Sequence, residues 1–359
     1  MAGSCIHCGD EFQKKVKGYR RQSIASRLKT SETVDNALVN VLKLKPITPL
    51  ACCLFPHNIE EHWCLHVKFY CSDVTKELLI ANSKYTYLKE YIITLSLENP
   101  TSITLKDEKQ GKDDKLLVTM FAAGHCPGSV MFLFEGSHGN VLYTGDFRLA
   151  KGEAKRMHLL HSGSRVKDIK SIYLDTTFCS PDVMHLPSRV ECLQALIELV
   201  DGWIYQSPKH MVRLTCKAKY GYEYLFVELS KHFNMQIHVS VNHFSYYNKV
   251  PDVSQYLTTE GKTTQIHACK WEDCKLEETA SVLVIQPSTM WFIYNAKPGV
   301  VKKLDTHKYR VCFSFHSSCS EIRDFVGYLC PENVYPNVIP VGCSEEVVVN
   351  RSLVLMSPY

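Results

Sequence analysis

Residues 115–147, KLLVTMFAAGHCPGSVMFLFEGSHGNVLYTGDF, decide the fold. Three apolar runs, 115–123, 129–136 and 140–147, each have strand length. A Gly- and Pro-containing turn, AAGHCPGS, separates the first two, and Gly-Ser-His-Gly separates the last two. Apolar runs of this length between such breakers read as strands of a meander. Just upstream, TSITL (101–105) joins the same meander through the polar turn EKQGKDD (108–114).

Outward from this stretch the order of elements changes. On the amino-terminal side, LHVKFYC (65–71) alternates like a strand, and Ser72 or Asp73 is placed to cap the helix VTKELLIANS. Beyond residue 171, SIYLDTTF, HMVRLTC and MQIHVSV read as strands, with ECLQALIELVDGWI and GYEYLFVELSKHF as helices between them. That alternation signals a parallel sheet with crossover helices. A late strand, YRVCFSF, then a helix, SCSEIRDFVGYLC, and NVIPVG close the pattern. Residues 14–29, with seven basic side chains, read as a solvated basic arm, and Ser31 followed by Val34, Leu38, Val41 and Leu42 as one amphipathic helix.

At 359 residues the chain has room for two domains, or for one interrupted by another. Its 45% hydrophobic and 22% charged residues exclude disorder, collagen and coiled coil. The longest apolar stretch, 46–55, is broken by prolines and falls short of the roughly 18 residues that span a bilayer. A net charge of +4 neither demands nor forbids a polyanionic partner. Sixteen scattered cysteines behind an amino terminus without a secretory pattern suggest reduced thiols, some of them metal ligands, inside the cell.

Four polar residues fall at carboxyl ends of apolar strands, where α/β proteins place ligands: His125, Asp146, Asp175 and His316. Taken singly, a strand-end His or Asp serves a turn more often than a ligand. Together, imidazole and carboxylate suit a catalytic zinc or a two-metal hydrolase. The loop CKAKYGYEY ends at a helix start. It offers Lys217 and Lys219 to phosphates and Tyr220 or Tyr222 to base stacking, against the plainer reading of surface lysines and packed tyrosines. Ser317 and Ser318 either cap the helix after His316 or present its amino terminus to a phosphate. His267 and Cys269 share one face of a strand, His238 ends another, and Cys274 follows a short turn. Two His and two Cys make a structural zinc set, with buried free cysteine the competing reading for Cys274.

The strings AAGHCPGSVMFLF, VLYTGDFRLA, YLDTTFC, CKAKYGYEYLF, TTQIHAC, PSTMWF, FSFHSSCSEI and YPNVIPVG occur in this order between about residues 64 and 342. They resemble the DNA-repair branch of the metallo-β-lactamase nucleases that carry an inserted β-CASP domain. The resemblance implies an α/β fold, an αββα metallo-β-lactamase sandwich split by a β-CASP α/β domain. The expected parts are a divergent amino-terminal segment (1–63), the sandwich (64–170 and 308–359) and the insert (171–307). It implies that His125 binds the first metal, that Asp146 bridges two metals, that Asp175 is the acid opening the insert, and that His316 borders the active site; Asp146, Asp175 and His316 would be catalytic. A divalent active-site metal (zinc, magnesium or manganese) and a structural zinc in the insert follow, the latter on His238, His267 and Cys269 with Cys274 as fourth ligand. DNA, a DNA-dependent protein kinase and a ligase complex are the expected partners of a nuclear monomer.

One departure matters. The family motif His-x-His-x-Asp-His occurs nowhere in the sequence; the nearest string is His57-Asn58-Ile59-Glu60-Glu61-His62, which keeps the outer histidines alone. The string reads as a remnant, with His57 and His62 as substitute metal ligands and Glu61 in place of the acid, or as a coincidence, and fewer ligands mean a weaker two-metal site. Cys5, His7 and Cys8 lack a second ligand pair nearby, and residues 343–359 leave the family pattern. Three readings follow: a metal-dependent nuclease with endonuclease and 5′–3′ exonuclease action in end joining, V(D)J recombination and cross-link repair; a catalytically silent DNA-binding or scaffolding version; or an RNA-processing relative, against which the strings after His316 argue.

Overall fold

The computed structural model describes residues 19–21, 69–106, 113–137, 139–270, 272–274, 279–294 and 299–340. His57, His62, the helix expected after Ser31, the Cys5–His7–Cys8 group and the tail from 343 lie outside the described residues. The first unit contributes β1 (Phe69–Cys71), α1 (Asp73–Ile80), β2 (Ile92–Thr94), β3 (Thr101–Lys106), β4 (Asp113–Ala122), β5 (Val130–Gly136), β6 (Gly139–Tyr143) and β7 (Ile169–Leu174). The insert contributes α2 (Arg189–Ile204), β8 (His210–Leu214), α3 (Glu223–Phe233), β9 (Ile237–His238), β10 (Leu257–Thr258), β11 (Ile266–His267), β12 (Ser281–Pro287), β13 (Val301–Asp305) and β14 (Lys308–Val311). The chain then returns through α4 (Cys319–Leu329) and β15 (Asn333–Pro336).

Strands β3 to β6 form the expected antiparallel meander, and β7 and β15 add to it in parallel, giving a six-stranded sheet of order β15-β7-β6-β5-β4-β3. Side chains alternate across a strand. Thus Val130, Phe132 and Phe134 of β5 face one core with Tyr70 of β1 and Ile93 of β2, while Met131 and Leu133 face the other with Ile322, Phe325, Val326 and Leu329 of α4. The parallel pair β1–β2 buries its far side, Phe69, Cys71 and Ile92, against Leu79 of α1. The layers are therefore α, β, β, α, the order expected. Each such side chain removed from water contributes roughly 1.5–3 kcal/mol.

The insert is a seven-stranded sheet of order β10-β9-β11-β8-β12-β14-β13, parallel except at the edge pair β13–β14. Helix α2 packs Cys192, Leu196, Val200 and Ile204 into its core with Val212 and Ile285. Strand pairing places β7 with the first sheet and β14 with the insert, so limits at 171 and 307 cut through β7 and detach β14. Two local expectations also change. MQIHVSV is a strand only at Ile237–His238, because Ser240 accepts from His243 N and caps a short helix. Within the basic arm, Tyr19–Arg21 pairs antiparallel with Val338–Pro340 rather than standing alone in solvent.

Candidate metal centres

His125 sits in the tight turn that follows β4. The Ser129 hydroxyl accepts from the backbone N–H groups of His125 and Cys126, both at 3.1 Å. Gly124 and Gly128 are indispensable to this turn. Both have left-handed φ, +69° and +78°, and a Cβ on them would meet Arg148 O at 2.3 Å and Thr75 N at 2.7 Å. The Gly128 carbonyl in turn accepts from Ser72 Oγ at 2.9 Å and Thr75 Oγ1 at 2.7 Å, so the first turn of α1 fixes the loop. Asp146 follows β6, just past Gly145 at φ +58°. His316 follows β14, in the segment that returns to the first unit.

These three residues, distant in sequence, bring one ligand atom each to within 4.8 Å of the others, with His125 and Asp146 buried. The His125 ring donates from Nδ1 to the Phe315 carbonyl at 3.1 Å. The His316 ring donates from Nδ1 to Asp175 Oδ2 at 2.7 Å. Each bond leaves Nε2 as the ring's ligand atom, the arrangement that orients metal-binding histidines. Burial first, then the charge of His316, holds the His125 pKa well below 6.5, so the ring stays neutral and keeps a lone pair for a metal. Two imidazoles and a carboxylate fit a divalent ion with an open coordination position.

Asp175 has a different part from the catalytic one expected of it. Its Oδ1 accepts from Thr177 N at 2.9 Å and Thr177 Oγ1 at 2.6 Å, and its Oδ2 from His316. Burial works against the carboxylate, but the His316 charge and these hydrogen bonds prevail and keep it ionised far below its usual range. Asp175 is a positioning residue for His316. A second such residue, missed in the sequence, is Arg148. It is buried, donates to the His316 carbonyl at 3.1 Å and the Pro187 carbonyl at 3.0 Å, and pairs with Glu321 at 3.0 Å. It thus ties the return segment to the start of the insert. Its signal was its place two residues after Asp146 in YTGDFR, which spacing alone did not distinguish from a surface arginine.

The residues expected to meet phosphate and base are mostly committed elsewhere. Tyr220 is buried, edge-on to Tyr246 and Tyr247, so it offers no face for stacking. Lys219 Nζ lies 3.3 Å from the centre of the Tyr246 ring. Ser317 Oγ accepts from Leu149 N, and Ser318 caps α4 in a capping box with Glu321, so both hydroxyls serve the fold. Tyr222 is buried against Phe315, at a ring separation of 4.9 Å. Lys217 is exposed.

The second cluster lies in the insert. His238 at the end of β9, His267 at the end of β11, and Cys269 and Cys274 beyond it bring their ligand atoms within 4.8 Å of one another, and all four are buried. Parallel pairing sets His238 beside His267 in register. The nitrogens His238 Nδ1 and His267 Nδ1 are 2.9 Å apart, and Cys274 Sγ lies 3.5 Å from the first and 3.2 Å from the second. Bonds of about 2.0–2.1 Å to nitrogen and 2.3 Å to sulfur in a tetrahedron demand edges of this size, so the residues present fit a closed zinc site. Burial also lowers both imidazole pKa values, His267 to about 4, which keeps both rings neutral ligands. Cys274, reached through the turn after Cys269, stands where the fourth ligand is needed.

Residues 251–342 match the family described as DNA repair metallo-beta-lactamase. The protein Artemis of Mus musculus is 53% identical over an alignment of 302 residues that covers 80% of this chain and 42% of that one. Over this region the chain is similar to Artemis. The human Artemis protein is 52% identical over 79% of this chain and 43% of its own length. The 5′ exonuclease Apollo of Rattus norvegicus is 32% identical over 77% of the chain and 48% of its own length. The chain thus spans less than half the length of these relatives, and its layered α/β fold fits the DNA repair metallo-beta-lactamase match.

Proposed function

We propose that this protein is a metal-dependent nuclease that hydrolyses phosphodiester bonds of DNA ends and hairpins. The observation that carries the reading is the convergence of His125, Asp146 and His316 on one buried point, in a chain homologous to Artemis and Apollo. The metallo-β-lactamase family implies a divalent ion, and His125, Asp146 and His316 would hold it. Such an ion supplies an activated water and neutralises charge on a scissile phosphate.

The protein's own groups prepare that chemistry. The Phe315 carbonyl fixes the His125 tautomer, and Asp175, accepting from Nδ1, holds His316 in one orientation with Nε2 as its ligand atom. Asp146 contributes a buried carboxylate. Arg148 holds the His316 backbone, and Arg189 Nη2 approaches the His125 carbonyl at 3.4 Å, so ligand positions are set before substrate arrives. Zinc in the insert would be structural, since four protein donors leave no open position.

By the same reading the protein has endonuclease and 5′–3′ exonuclease action in end joining, V(D)J recombination and cross-link repair. It works as a nuclear monomer with a DNA-dependent protein kinase and a ligase complex. A second reading, a silent DNA-binding or scaffolding version, is favoured by one observation: the sequence lacks His-x-His-x-Asp-His. Cleavage of 5′-phosphorylated single-stranded and hairpin DNA with magnesium, manganese or zinc separates the two. The nuclease reading expects cutting that Asp146→Ala abolishes; binding of both DNAs without cutting by the wild type establishes the silent version instead.

A further inference from the structure

Glu223, the first residue of α3, is only 3% exposed, and its two oxygens tie together separate parts of the insert. Oε2 accepts from Gly221 N at 2.6 Å. Oε1 accepts from the hydroxyl of Tyr247, which is fully buried just past the short helix that Ser240 caps. Helix α2 satisfies its first turn with the exposed Glu191, whereas α3 buries its acid, and burying a carboxylate is costly. Burial outweighs the two hydrogen bonds and the nearby Arg189 charge and pushes the Glu223 pKa up. Burial first, then the Glu223 charge, holds the Tyr247 pKa well above 10, so its hydroxyl remains a donor.

The backbone that Glu223 grips stands directly behind the metal cluster. Gly221 has φ +109°, and a Cβ on it would lie 2.8–2.9 Å from the Phe315 ring, so bare backbone is pressed against that ring. Tyr222 packs edge-on to the same ring, 4.9 Å between centres. Phe315 in turn offers its carbonyl to His125 Nδ1 at 3.1 Å and meets the imidazole edge-on at 5.9 Å. One run of contacts therefore leads from Tyr247 through Glu223, Gly221 and Phe315 to His125, and His316 is the residue after Phe315.

On the reading of His125 as a metal ligand, we propose that Glu223 and Tyr247 are positioning residues of that site: their hydrogen bonds fix Gly221 and Tyr222, these fix Phe315, and the Phe315 carbonyl selects the His125 tautomer. Without the carboxylate, the Gly221 N–H and the Tyr247 hydroxyl lose their acceptor in a buried place, and the loop must rearrange to satisfy them. Phe315 then shifts and its carbonyl leaves Nδ1. The ring is released to carry its proton on Nε2, the nitrogen that a metal needs unprotonated.

The test reads the tautomer directly. Full-length protein labelled with 15N-histidine is treated with EDTA, so that no metal dictates the ring, and followed by 1H–15N NMR near neutral pH, with His125→Gln to assign the signals. The wild type should show His125 in one form, protonated on Nδ1. Glu223→Leu should show a second form, protonated on Nε2, in about a tenth of the molecules or more. His210, held by the Trp203 carbonyl at the opposite end of β8, should keep its wild-type signals. Glu223→Gln, which offers an oxygen to Gly221 N and an amide hydrogen to the Tyr247 oxygen, should restore the wild-type ring. In zinc-loaded protein, Glu223→Leu should bind manganese about tenfold more weakly, and Glu223→Gln as the wild type does. The tautomer decides the matter even if no manganese binds, so failure of the metal-site reading and failure of the brace are told apart. Wild-type His125 signals in folded Glu223→Leu overturn the proposal, as does Nε2 protonation in the wild type or a Glu223→Gln ring as disturbed as that of Glu223→Leu. If Glu223→Leu fails to fold, Tyr247→Phe, which deletes one hydroxyl, is judged by the same two forms.

Discussion

Replacing Arg148 by Met should destabilise the protein by about 3–5 kcal/mol, the cost of removing one partner from a buried ion pair. The Arg148 and Glu321 side chains are only 4% and 10% exposed, so water does not replace the lost partner. Ser318 N and Oγ still donate to Glu321 Oε2, which places the loss at the lower end of that range. Against this relief, the Pro187 carbonyl loses its donor, and an unsatisfied buried acceptor costs about 1–3 kcal/mol. Urea unfolding followed by tryptophan fluorescence, at fixed metal and salt, measures the sum. The companion variant Arg148→Met with Glu321→Gln removes the orphaned charge and should recover part of the loss. A single-variant loss below about 1 kcal/mol, or a double variant no more stable than Arg148→Met, refutes Arg148 as the clamp between insert and return segment.

Gly221→Ala should weaken the site from behind. With φ at +109° and a Cβ 2.8–2.9 Å from the Phe315 ring, it displaces the residue whose carbonyl holds His125, and a thermal melt should show a clear drop in Tm. Cys274→Ser should cost the protein close to one zinc by elemental analysis, and chelation of the wild type should loosen the insert, seen as faster amide exchange in β9 and β11. Metal-free protein should lose stability on acidification. His125, His238 and His267 have folded pKa values below the unfolded 6.5, so the unfolded chain binds more protons below that pH. Each ring then costs about 1.4 kcal/mol per pH unit, for His267 down to about pH 4. A flat stability profile from pH 7 to 5 contradicts the neutral-imidazole assignment.

The meander and its two strand-end residues were legible because alternation and Gly-Pro punctuation are local signals. Residues 115–147 alone put His125 and Asp146 at strand ends, and the folded chain sets those ends side by side. The zinc set was legible in part: a two-residue spacing put His267 and Cys269 on one face and strand–helix alternation signalled a parallel sheet, while the register that sets His238 beside His267 has no local signal. What stayed hidden depends on contacts far apart in the chain. β15 lies beside β7 across more than 150 residues, and no local pattern sets that pairing. Asp175 was expected to be catalytic because the resemblance implied it; in the folded chain Thr177, two residues later, donates to its Oδ1 and His316 to its Oδ2. Tyr220 looked like a stacking surface because tyrosine beside lysine occurs in such surfaces, whereas here the ring completes a core.

On the proposed reading, His125, Asp146 and His316 form a working divalent-metal site. Manganese titration of the zinc-loaded protein, read by electron paramagnetic resonance, tests it most directly. The account predicts saturable binding that Asp146→Ala and His316→Ala abolish while zinc in the insert stays at its wild-type level. Equal manganese binding by wild type and both variants, or none by the wild type, contradicts it.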